Sequence, residues 1–152
     1  MIKERLAENG LELPEAVAPV ANYVPFVRDG SVLYVSGQVP MRDGRIAVTG
    51  KLGGGVSIEQ GQEAARICVL NLLAQVGAAL DGDWSRLERC LKLVGFVASA
   101  PDFTDQPKVI NGASDLMVDV LGENGRHARS AVGVAALPLD SAVEVEAIFA
   151  CR

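Results

Sequence analysis

The sequence predicts an α+β fold: a mixed β-sheet with two long helices packed on one face. Three observations carry this. Two long stretches, one after Ser57 and one after Asp105, have helical periodicity and good start signals. Cys90 to Ala98 is apolar on both faces apart from Lys92, as a central strand is. The other regular stretches alternate with a period of two or lie between turn signals. The order is helix, strands, helix, strand, helix, two strands, with no repeat, low-complexity segment or composition shift. Residues 1–152 are therefore expected to form one domain, with 1–17 as an N-terminal helical extension.

Ile2, Leu6 and Leu11, separated by Lys3, Glu4, Arg5 and Glu8, predict a short amphipathic helix that stops at Asn9-Gly10. Leu13 to Asn22 holds two prolines and little periodicity, so it reads as an extended loop. Tyr23 to Arg28 reads as a short strand, Asp29-Gly30 as a hairpin turn, and Val32 to Ser36 as a buried strand ending at Gly37-Gln38-Val39-Pro40. Arg42 to Ile46, containing Asp43-Gly44, predicts a second turn and another short strand. Thr49 to Val56 contains four glycines and Lys51 and reads as a loop.

Ser57 and Gln60 form a capping box that starts a helix running to about Leu80. Its apolar stripe includes Ala65, Cys68, Val69, Leu72, Leu73 and Val76, and Asp81-Gly82-Asp83 ends it. A turn at Ser85 to Glu88 leads into the Cys90 strand. Thr104 or Asp105 caps the next helix, Pro107 sits in its first turn, and Gly122 closes it. Gly125 to Arg152 reads as two strands joined by a turn at Leu137 to Ser141, a terminal hairpin. In the last strand Val143, Val145, Ala147 and Phe149 alternate with Glu144, Glu146, Ile148 and Ala150. The second set begins polar and ends apolar, as when one end of a strand face lines a cleft or interface. A sheet covered on one face leaves its other face in need of burial, and oligomerisation is the simplest solution.

The composition narrows the function. With 49% hydrophobic residues but only 5% aromatic ones, the core must be built from Val, Leu, Ile and Ala. A net charge of −5 argues against nonspecific nucleic-acid binding, which draws on a basic surface. Cys68, Cys90 and Cys151 form no C-x-x-C pair and, with one histidine, predict buried thiols, a reducing compartment and no zinc site of the usual kind. No secretory leader or membrane-spanning run is read, and the expected location is cytoplasmic.

Four blocks of the sequence resemble the YjgF/RidA family, which contains imine and enamine deaminases and often carries the label endoribonuclease L-PSP. They are Asn22-Tyr23-Val24; Ser36-Gly37-Gln38-Val39-Pro40; Asp102-Phe103 with Val109-Ile110-Asn111; and the terminal set Arg129-Ser130-Ala131-Val132, Leu137-Pro138 and Val143 to Ala147. The resemblance covers roughly Ala18 to Arg152. It implies a chorismate-mutase-like (YjgF) fold, a homotrimer closed around the free sheet face, three clefts between subunits, and no metal or organic cofactor. It also implies that Arg129 binds the carboxylate of a 2-imino or 2-amino-enoic acid and that Glu144 orients the attacking water. Ser36 and the backbone of Gly37 fall where polar substrate groups are contacted, and Tyr23 and Asn111 where further residues approach. Ala131 stands where many family deaminases carry cysteine. With Lys51 and His127, it marks a separate branch.

The residues themselves are consistent with that chemistry. A guanidinium can clamp a carboxylate through two parallel hydrogen bonds, and a positioned carboxylate can deprotonate water. Arg129 with Glu144 is thus a sufficient minimal set, acting on a small 2-imino acid and releasing the 2-keto acid. Each residue also has a plainer reading: Arg129 as a solvated charge, Ser36 as a turn hydroxyl, Tyr23 as packing. His127 lies two residues from Arg129, so on a strand both face one side. Lys51 is followed by Leu52 rather than Ser or Thr, which fails the phosphate-loop pattern and leaves it rimming the cleft. The alternative to turnover is a small-carboxylate-binding or regulatory module. Ribonuclease action is a weaker third reading, given the acidic pI and single histidine.

Overall fold

The protein is described by a computed structural model. It covers residues 1–19 and 21–152; Val20, inside the stretch read as an extended loop, lies outside the described residues. Helix α1 (Ile2–Glu8) buries Ile2 and Leu6 and ends at Asn9. Strands β1 (Phe26–Asp29) and β2 (Val32–Gln38) form the first hairpin. The strand read from Tyr23 starts only at Phe26, after Pro25, which has no N–H to give to a ladder. Strands β3 (Met41–Arg42) and β4 (Arg45–Ile46) make a small hairpin around Asp43-Gly44. The glycine-rich loop contains two further short strands, β5 (Lys51–Leu52) and β6 (Gly55–Val56).

Helix α2 (Ile58–Ala79) has the full capping box: Gln60 N–H donates to Ser57 Oγ at 3.1 Å and Ser57 N–H to Gln60 Oε1 at 2.9 Å. Strand β7 (Leu87–Ala98) starts three residues earlier than its apolar run. Helix α3 (Gln106–Leu121) begins after Asp105, whose side chain makes no capping hydrogen bond, and Pro107 lies in its first turn. Strands β8 (Ala128–Val134) and β9 (Val143–Cys151) follow.

The main sheet has the order β1-β2-β9-β7-β8. Strands β8 and β9 are therefore not the expected terminal hairpin. Sequential strands often pair, but here β7 lies between them, parallel to β8 and antiparallel to β9. The reason is the crossover. Helix α3 carries the chain back along β7, so β8 runs parallel to it at the edge, and β9 returns into the gap between β2 and β7.

Helices α2 and α3 cover one face of this sheet. Leu33, Leu93, Val97, Val143, Val145 and Phe149 point from the strands into the layer between, and all are fully buried. The two helices pack very closely. A Cβ on Gly112 of α3 would stand 2.4 Å from the Gln62 carbonyl oxygen of α2, so only glycine fits there. The other sheet face is open, and Val27, Tyr34 and Val132 are exposed on it. Among the described residues no helix is long and apolar enough to cross a membrane.

Candidate functional site

The edge strand β8 and helix α3 together hold Arg129. Its register partner is Leu93, a core residue, so Arg129 faces the helix side of the sheet. Nη1 donates to Asn111 Oδ1 at 2.9 Å and to Ser114 Oγ at 3.2 Å, and Nη2 donates to the Pro107 carbonyl at 3.4 Å. No hydrogen bond from Nε is found among the described residues. The helix thus fixes one side of the guanidinium and leaves N–H donors for a ligand on the other. His127 shares this face, as the two-residue spacing predicts. Its Nδ1 lies 2.6 Å from the Gly125 carbonyl, which can only accept, so the neutral ring carries its proton there. Nε2, 2.9 Å from Ser114 Oγ, then accepts the serine hydroxyl. Ser114 links His127 to Arg129. Nothing in the sequence pattern marked this serine on the flank of a helix. Ala131, two residues on, packs against the core opposite Gly95.

Glu144 belongs to a second group. It pairs with Phe96 and alternates with the buried Val143 and Val145, so it lies on the open face. Its carboxylate is half-buried, and among the described residues it has no hydrogen bond or ion pair. Burial first, and the charge of Glu146 second, push its pKa above the ordinary carboxylate value. The carboxylate rests on Gly37: a Cβ there would sit 2.4 Å from Glu144 Oε1. Gly37 occupies an irregularity in the β2–β9 ladder between Val35 and Gln38, which turns the strand toward Glu144. Tyr23, Gly37 and Glu144 line one pocket of about 50 Å³. Ser36 donates its hydroxyl to the Val24 carbonyl at 2.8 Å and borders a neighbouring hollow with Tyr34, Lys92 and Glu146.

The two groups do not meet within one chain. Arg129 and Glu144 lie two strands and three register positions apart, on opposite faces, which puts their Cα atoms about 14 Å apart. Lys51 joins neither group. Its ammonium donates to the Ala135 carbonyl, about 20 Å along the strand from Arg129. Among the described residues no group of three or more His, Cys, Asp or Glu side chains could hold a metal ion. Burial raises the thiol pKa of Cys68 and pushes that of Cys90 up to about 12, so both are packing residues, as their apolar surroundings suggest.

A five-stranded mixed sheet, helices on one face, and polar groups on both faces, Arg129 on an edge strand and Glu144 on the central one, define a class of α+β protein that comparison with known proteins narrows further. A family model described as "YjgF/chorismate_mutase-like, putative endoribonuclease" matches residues 3–151, and the chain belongs to this YjgF/RidA family. It is 50% identical to Protein TCP17 of Trypanosoma cruzi over 97% of this chain and 92% of that one. A crystal structure of an Agrobacterium tumefaciens protein of unknown function is 55% identical, with a TM-score of 0.94, over 99% of this chain and 92% of that one. Escherichia coli TdcF, solved with bound serine, is 27% identical, with a TM-score of 0.66, over 91% of this chain and 94% of that one.

Proposed function

We propose that the protein is a cofactor-free deaminase that hydrolyses 2-imino acids, and their enamine tautomers, to 2-keto acids and ammonia. The observation that carries this reading is the half-buried Glu144 carboxylate, unpaired among the described residues and resting on Gly37, a placement suited to a general base. The pre-oriented Arg129 guanidinium suits the substrate carboxylate. Because one chain holds these groups on opposite sheet faces, the working cleft lies between two copies, one giving Arg129 and the other Glu144, and the assembly is a homotrimer closed around the open face. The serine held by TdcF supports a small amino-acid-like ligand for such a cleft.

In the reaction, Glu144 takes a proton from water as the water oxygen bonds to the imine carbon. The imine nitrogen gains the proton. The resulting carbinolamine loses ammonia as its hydroxyl becomes the keto group, so one water is consumed for each ammonia released. Arg129 fixes the carboxylate throughout, and such orientation can be worth several kcal/mol, on the order of 7 in ideal cases.

The test is to generate 2-imino acids in place with an amino-acid oxidase and follow their decay. Wild type is expected to accelerate decay and Arg129→Ala to lose at least about 100-fold in kcat/KM, the scale of a misplaced substrate. Tight keto-acid binding without turnover would replace this reading with a small-carboxylate-binding module.

A further inference from the structure

We infer that Ser114 and His127 are positioning residues for Arg129: together they hold its guanidinium so that the edge formed by Nε and Nη2 meets a ligand carboxylate. The inference rests on the reading of Arg129 as the carboxylate clamp. All three side chains belong to one chain, so their arrangement does not depend on what a second copy adds.

Its first support is a relay that starts at a fixed carbonyl. Gly125 is buried, and a Cβ on it would stand 2.3 Å from the Met117 carbonyl oxygen of α3. This contact pins the turn between α3 and β8 to the helix. The Gly125 carbonyl takes the Nδ1 proton of His127, which leaves Nε2 as an acceptor. Nε2 then draws the Ser114 hydroxyl proton across 2.9 Å. A serine inside a helix otherwise tends to donate to the carbonyl four residues back, here that of Ile110. With its proton turned to His127, Ser114 Oγ offers its lone pairs to Arg129, and Nη1 donates to it at 3.2 Å. Both ring nitrogens of the chain's single histidine are thus engaged, which orients the imidazole.

The second support is the spacing on α3. Pro107, Asn111 and Ser114 stand at i, i+4 and i+7, one stripe along the flank that faces β8. Each gives Arg129 one acceptor, and together they take both N–H bonds of Nη1 and one of Nη2. Nε–H and the second Nη2–H remain without a partner among the described residues. Nε and Nη2 share one edge of the guanidinium plane, and a carboxylate can bridge that edge through two parallel hydrogen bonds.

The third is burial. Asn111 is exposed, so water competes for its bond, whereas Ser114 and His127 are half-buried. The serine and histidine therefore carry the rigid side of the clamp. An arginine held in one rotamer before the ligand arrives loses less freedom on binding.

The experiment uses the full-length assembly, with pyruvate as the probe and the imine of alanine as the substrate. The carboxylate is held alike in the ground and transition states, so lost positioning should fall on KM more than on kcat. Ser114→Ala and His127→Phe are each expected to weaken pyruvate binding, and to raise KM, about 10-fold. His127→Phe added to Ser114→Ala should weaken binding no further, because the histidine acts through the serine. Ser114→Thr keeps the hydroxyl and should restore wild-type affinity. In isotope-labelled wild type, the two Nη1 protons of Arg129 should give separate NMR signals, which merge in Ser114→Ala as the group rotates, and pyruvate should move the Nε–H signal. Unchanged pyruvate affinity in Ser114→Ala and His127→Phe proteins that keep the wild-type thermal midpoint overturns the inference, as does full additivity in the double variant. Merged Nη1 signals in wild type, or an Nε–H signal that pyruvate does not move, also overturn it, and this spectrum decides even where a variant fails to fold. If the imine is not hydrolysed while pyruvate binding follows the expected order, the deaminase reading fails and the positioning role stands.

Discussion

Glu144 is more protected from water than its position on a half-polar strand face suggests. Its raised pKa has a consequence for stability. The native state binds this proton more tightly than the unfolded chain does, so native stability is lost as pH rises from the ordinary carboxylate range through the raised native value. Glu144→Gln removes the buried charge. We expect it to melt higher than wild type at neutral pH, with the difference vanishing below the ordinary carboxylate range, while imine hydrolysis falls by about 100-fold or more. A calorimetric pH series checks this, and identical melting at neutral pH would show that the carboxylate is not desolvated. Arg129 and His127 were legible as a same-side pair because strand periodicity is strict. Ser114 was not, because one serine on a helix flank has no pattern that points to a partner 15 residues away.

At the scale of elements, the capping box of α2 and the central place of β7 were both readable, each from a local rule. The terminal hairpin was misread because strand adjacency is decided by the crossover through α3, and no residue within β8 or β9 records it. The polar side of α2 was also missed. Asn71 and Gln75 lie on the buried stripe, where periodicity leads one to expect apolar residues. Asn71 Nδ2 donates to the carbonyls of Val39 at 3.1 Å and Met41 at 3.0 Å, and Gln75 Nε2 to that of Val17 at 2.7 Å. These bonds tie the segment before β1 and the β2–β3 corner to the helix. That corner continues directly from Gly37. Asn71→Ala takes this donor from both carbonyls, leaving Val39 the Met41 N–H at 2.7 Å, and should cost about 1–2 kcal/mol, read as a lowered urea midpoint with unchanged slope.

At the scale of the whole molecule, the separation of Arg129 from Glu144 makes a prediction about mixtures. Arg129→Ala and Glu144→Gln should each be inactive alone. Unfolded together in equal amounts and refolded, random assembly would give about a quarter of the clefts both groups, one from each neighbour. Recovery of about that fraction of wild-type activity, with the assembly mass checked by sedimentation, is the expected result. No recovery in correctly sized assemblies would mean that both groups act from one chain. The open sheet face, by contrast, was foreseeable: two long helices can cover only one side of a five-stranded sheet.

The insertion of β9 between β2 and β7 also bears on how the protein is made. Of the five strands in the sheet, β9 leaves the ribosome last, yet it alone bridges β1-β2 to β7-β8. Until it emerges, the nascent chain holds two separate ladders with no shared hydrogen bonds, and the layer around Leu33 and Leu93 lacks the central strand that completes it. Synthesis of most of the chain therefore yields two partial sheets and no single platform. A chaperone that shields apolar strands during translation would act on the long interval before Val143 appears, and a ribosome stalled there would present a protease-sensitive chain.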